Sequence, residues 1–102
     1  MRYLMVAAML LAAVVSPAAD HEIRQKDKAF DKATIQVKPG DTIHFVNDDE
    51  VTHNVYSRSE ANAFTIRKQA PGESSPVAFK EKGETLVRCT IHPKMKLTVK
   101  VE

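Results

Sequence analysis

The chain has 102 residues, with 15 lysines and arginines against 13 aspartates and glutamates and a formal charge of +2. These charges are interspersed along the chain, so the sequence carries no footprint of the clustered basic face that nucleic acid or an anionic membrane requires. The length admits one small domain with a thin core.

Arg2 precedes an unbroken apolar run from Leu4 to Val15, and Ser16-Pro17-Ala18-Ala19 follows with small residues. That order predicts a secretory signal peptide over residues 1–18, cleaved after Ala18 or Ala19. A membrane-spanning helix needs about 20 apolar residues, so the run is too short to be one. The expectation is an exported, periplasmic protein, not inserted in a membrane after processing, with residues 19–102 forming a single monomeric domain.

Beyond the leader the pattern is that of strands, with period-2 alternation and turn residues at short intervals. Ile35 and Val37 point one way, and Lys38-Pro39-Gly40-Asp41 predicts a type II turn. Ile43 and Phe45 share the next inner face, with Thr42 and His44 opposite. His53-Asn54-Val55-Tyr56 opens a strand expected on the opposite side of the molecule. The stretch 57–76 is the least regular. Phe64 and Ile66 sit at strand spacing there, while Ala61-Asn62-Ala63 could form a short helical turn. Val77 and Phe79 alternate again, and Glu81-Lys82-Gly83 marks another turn. Thr85, Val87 and Cys89 share one face, as do Leu97, Val99 and Val101. No amphipathic helix of three turns is present. The whole predicts an all-β, Greek-key β-sandwich of seven to eight strands, which gathers loops from distant strands at one end.

Past the leader there is one cysteine and one methionine, and both fall in Cys89-Thr90-Ile91-His92-Pro93-Lys94-Met95. In an oxidising compartment thiols usually pair. A lone exported cysteine is a free thiol, half of an intermolecular bridge, or a metal ligand. His92 and Met95 nearby favour the ligand. With His53 upstream, a thiolate, two imidazoles and a thioether form a set suited to one type 1 copper ion. Zinc has no use for a thioether, and the paired C-x2-C of many zinc sites is absent. The candidate metal ligands are His53, Cys89, His92 and Met95.

The segments Thr52-His53-Asn54-Val55 and Arg88 to Met95 resemble the two ligand motifs of the cupredoxins, the blue copper family of plastocyanins, pseudoazurins and amicyanins. The short loop with proline after the histidine is most similar to amicyanin. Val37 to Asn47 also resembles the family's second-to-third strand region. The resemblance implies a sandwich of about eight strands and single-electron transfer between redox proteins, such as a c-type cytochrome or a periplasmic oxidoreductase. It also implies that Asn54 and Thr90 are hydrogen-bonded and tie the two ligand segments together. Many relatives carry an aromatic residue before the cysteine where this chain has Arg88, which predicts a different, acidic partner surface.

Four side-chain ligands leave no open coordination position, which weighs against an enzyme. The leading expectation is an electron shuttle. The alternative is a copper-binding module for delivery or sequestration. Arg88, Lys94 and Lys96 are candidates for steering an acidic partner. His44 is expected to face water. Cleavage after Ala18 would place His21 third behind a free amine, an arrangement able to take Cu(II) in a planar set of nitrogens.

Overall fold

The computed structural model describes residues 17–102. The proposed leader falls almost wholly outside them. Nine strands run in chain order: β1 Asp20–Lys26, β2 Ala29–Phe30, β3 Thr34–Val37, β4 Asp41–Asn47, β5 His53–Ser57, β6 Phe64–Gln69, β7 Ser74–Phe79, β8 Gly83–Arg88 and β9 Lys96–Val101. They form a four-stranded sheet, ordered β2-β1-β4-β7, and a five-stranded sheet, ordered β3-β9-β8-β5-β6. Chain neighbours are often not sheet neighbours, and β1 with β4 and β3 with β9 pair in parallel. The result is the expected β-sandwich, with one strand more than the upper expected count. The short β2 is part of that excess.

Alternation accounts for the sandwich. Along β4 every second residue is buried, from Asp41 through Ile43 and Phe45 to Asn47. The same holds for Leu97, Val99 and Val101 of β9 and for Thr85 and Val87 of β8. These inner faces meet in one core with Ile23, Val55 and Phe79, and Phe45 stacks on Phe64 with ring centroids 5.6 Å apart. Burying such side chains contributes about 1.5–3 kcal/mol each before the entropy of ordering is subtracted.

The turns follow from local chemistry. Gly40 has φ of 95°, and the Asp41 amide donates to the Lys38 carbonyl at 3.0 Å, closing the turn expected at Lys38–Asp41. Two readings need correction. Ala61–Ala63 is no helical turn: Asn62 has φ of 62°, and its side-chain oxygen accepts the amides of Lys80 and Glu81, both at 2.9 Å. This left-handed residue breaks a helix and fastens the turn to the β7–β8 connection. Nor does β5 lie across the sandwich from the Cys89 strand. It is β8's neighbour in the same sheet, with Tyr56 opposite Arg88. His53 therefore reaches the Cys89 loop laterally, along a sheet end.

Candidate metal centre

β8 runs inward-facing Thr85 and Val87 up to Cys89, so the same alternation carries the cysteine into the sandwich end. Cys89 is buried and free of any disulfide. The following loop turns tightly, with the Met95 amide donating to the His92 carbonyl at 2.9 Å. Met95 is buried where the chain enters β9. His92 stays half-buried, between exposed Ile91 and Pro93.

His53 is fully buried at the start of β5 and is held from behind. Its Nε2 lies 2.9 Å from a carboxylate oxygen of Asp49. That carboxylate also accepts the backbone amide of Lys28 at 2.8 Å, from the β1–β2 hairpin tip. These donors hold the Asp49 carboxyl at about 2, below its ordinary 3.8; the Lys28 amide contributes most, then the His53 ring, against an opposing burial effect. Asp49 is itself placed by Asn47, whose side-chain oxygen accepts the Asp49 amide at 3.0 Å. The Asn47 amide group donates to the carbonyls of Val51 and Gln69 at 2.9 and 2.8 Å. An ionised carboxylate on Nε2 requires the proton there, leaving the Nδ1 lone pair of a neutral ring free to bind a metal.

That lone pair faces the other candidates. His53 Nδ1 is 3.0 Å from His92 Nδ1 and 3.9 Å from Cys89 Sγ. One ligand atom from each of the three residues lies within 4.8 Å of the others. Both separations are shorter than the sum of two ordinary metal–ligand lengths, about 2.3 Å to thiolate and about 2.0 Å to imidazole, so one ion could touch both atoms of each pair. A thiolate with two imidazoles in this compact cluster, plus a buried thioether three residues beyond His92 on the same loop, suits copper.

Asn54 and Thr90 are joined as the resemblance implied. The Thr90 amide donates to the Asn54 side-chain oxygen at 2.7 Å, and the Asn54 amide group donates to the Thr90 hydroxyl. Arg88 lies next to the loop, its guanidinium donating to the Pro93 carbonyl at 3.4 Å. Lys94 and Lys96 are both exposed.

The other histidines are elsewhere. His44 is on the outer side of β4, partly exposed, with Nε2 3.1 Å from Asp20. His21 packs at the opposite end of the sandwich, its Nε2 2.9 Å from Asp41. Its backbone belongs to β1, paired in register with β4, and an extended strand cannot fold its amide nitrogens into a planar chelate. In this register the His21 backbone serves the β1–β4 pairing and is not arranged as the N-terminal Cu(II) set expected of a processed chain. Asp49 and Asn47 were missed by sequence reasoning. The only signal was the run Asn47-Asp48-Asp49 at a strand end, which reads as an ordinary turn.

Fold and cluster together define a cupredoxin-type sandwich with a mixed sulfur and nitrogen metal centre. Residues 18–102 match the family described as copper binding proteins, plastocyanin/azurin family, and the chain belongs to that family. It is 30% identical over 89 residues to the methylamine utilization protein MauL of Methylorubrum extorquens, covering 84% of this chain and 78% of that one. A putative pseudoazurin of Rhizobium leguminosarum bv. viciae is 28% identical, covering 94% of this chain and 68% of its own length. The chain spans about half the length (51%) of the MauL protein of Methylophilus methylotrophus. Among solved structures, a reduced tryptophan-to-tyrosine variant of amicyanin superposes with a TM-score of 0.75 at 26% identity, covering 88% of both chains. A copper-containing nitrite reductase from Thermus scotoductus has a TM-score of 0.75 at 23% identity, but this chain covers only 22% of it and the likeness concerns the fold alone. The cofactor is copper.

Proposed function

We propose that the protein is an exported, periplasmic single-electron carrier in which His53, Cys89, His92 and Met95 hold one type 1 copper ion. The observation that carries this reading is the convergence of His53, Cys89 and His92 within 4.8 Å, from segments 36 residues apart in sequence. When bound, copper supplies a Cu(I)/Cu(II) couple.

The chain supplies rigidity and access. Asp49 fixes the His53 ring from one side, and the Asn54–Thr90 pair locks β5 to the Cys89 loop, so the ligands move little when the charge between them changes. Burial of His53, Cys89 and Met95 keeps bulk water from the site. His92 is the one proposed ligand that is not fully buried. It lines a shallow surface hollow of about 250 Å³ with Ile91, Pro93, Lys94 and Lys28, and Ile91 is 53% exposed. An apolar rim of this kind allows a redox protein, such as a c-type cytochrome or a periplasmic oxidoreductase, to approach the ring edge without a large desolvation cost. Held by these four side chains, the ion would have no open position for a substrate, which favours a carrier over an enzyme.

Repeated redox cycling in the presence of a Cu(I) chelator tests this. A carrier retains its copper through many cycles with ascorbate and ferricyanide. Loss of the metal to the chelator within the first reduced period would instead indicate a module for copper delivery or sequestration.

A further inference from the structure

The two outer faces of the sandwich differ in charge. On the four-stranded sheet the charges compensate locally: Arg24 pairs with Glu22 at 2.6 Å and with Asp48 at 3.6 Å, and His44 meets Asp20. On the five-stranded sheet the outward positions carry Lys96 and Lys100 of β9, Arg88 of β8 and Arg67 of β6, with Arg58 just past β5. The outward acids on this face are Glu84, opposite Lys100, and Glu102, just past β9, which accepts from the Gln36 side chain of β3 at 2.7 Å. Among the described residues, no carboxylate lies within ion-pair distance of any of these five basic groups.

Two details show that this arrangement is costly in the free protein. Arg88 and Lys96 are directly opposite across β8 and β9, a like-charge pair that destabilises an antiparallel ladder. The Arg88 Nε is buried without any hydrogen-bond partner. The same place has the features of a contact surface. Tyr56, Arg58, Ser59, Leu86 and Arg88 line a shallow cavity of about 380 Å³, Leu86 is 41% exposed, and the Arg58 guanidinium sits 5.7 Å over the Tyr56 ring. Tyrosine and arginine around an exposed leucine are residue types enriched where proteins meet.

We propose that this outer face, centred on Tyr56, Arg58 and Arg88, docks a carboxylate-rich surface of a partner protein. Arginine forks match carboxylates bidentately, and an incoming carboxylate would relieve the Arg88–Lys96 repulsion. The cavity between the arginines, with its aromatic and aliphatic lining, favours a protein over a flat lipid surface. Arg88 adjoins Cys89 in the chain and touches the ligand loop at Pro93, so a partner seated here lies one residue from the proposed centre. This face is distinct from the His92 end. Its purpose rests on the electron-carrier reading, but its test does not.

The test uses the 15N-labelled protein in its Cu(I) form, with the redox-inert trivalent anion hexacyanochromate(III) and with a hexaglutamate peptide as probes. The expected result is line broadening by the chromium complex, and peptide-induced shifts, at the amides of Tyr56, Arg58, Leu86 and Arg88. The double variant Arg58→Glu/Arg67→Glu should weaken peptide association about tenfold with the copper spectrum unchanged. Perturbation confined to Lys28, Ile91 and Lys94, or no perturbation, would overturn the proposal. So would association with phosphatidylglycerol vesicles at about 150 mM salt in place of the peptide. A colourless Cu(II) form with the peptide shifts retained would remove the electron-carrier reading and leave the docking face standing.

Discussion

Each end of the sandwich holds a histidine against an aspartate at 2.9 Å, His53 with Asp49 at one end of β4 and His21 with Asp41 at the other. Both carboxyls are held at about 2 by backbone amides and the imidazole. The chemistry of the two pairs is nearly the same, but the surroundings are not. His53 is fully buried and its second nitrogen faces Cys89 and His92, whereas His21 is 27% exposed and, among the described residues, belongs to no such three-residue cluster. Asp41 instead gathers the amides of Ala19 and Lys38, at 2.8 and 2.9 Å, and closes the end where the described chain begins. A carboxylate–imidazole pair thus orients a metal ligand in one place and fastens a strand in the other. What separates them is the set of groups around the second ring nitrogen.

Breaking the pairs one at a time sharpens this contrast. The largest effect is expected at the shared target of His53: Cys89→Ser should abolish the visible thiolate-to-copper band, read by absorption of the copper-loaded protein. Next, Asp49→Ala should lower copper affinity by about 10–100-fold, measured by competition with a chelator, because the His53 ring loses its tether and its fixed tautomer. Asp41→Ala should leave copper affinity and the visible spectrum unchanged while lowering the thermal midpoint. A smaller effect is expected from Met95→Leu. Losing the weak thioether donor should mainly shift the reduction potential, read by voltammetry, with the visible band retained.

Acid titration gives the mildest test. The Asp41 carboxyl is lowered from 3.8 in the open chain to about 2 in the fold, so the unfolded state binds more protons between those values. Its stabilising contribution is complete above pH 4 and is lost as pH falls through about 2. Asp41→Asn should flatten the dependence of the unfolding midpoint on pH in that window. An unchanged slope would show that Asp41 is not the group responsible.

The parts of the fold legible in the sequence were those whose signals are local. Pro39-Gly40 fixed one turn, and strict alternation marked β4, β8 and β9, because period-2 burial is written directly into neighbouring residues. The hairpin of β1 and β2 was not legible. Its turn residues Asp27 and Lys28 both have positive φ, 51° and 58°, a conformation usually signalled by Asn-Gly and seldom by lysine. The same gap hid Asp49. Its role depends on the Lys28 amide, 21 residues distant, and on a register between strands that spacing alone does not reveal. Cys89, His92 and Met95 were visible as a motif because one tight loop carries all three. His53 was named through its pairing with that motif, and the side-by-side placement of β5 and β8 emerged only from the sheet order.

The most direct test of the central claim is the combined optical and EPR spectrum of the protein loaded with one equivalent of Cu(II). An intense visible charge-transfer band with narrow copper hyperfine splitting is the predicted result, reporting a thiolate bound in a constrained site. A colourless protein in excess cupric salt, with the Cys89 thiol still open to alkylation, would contradict the account.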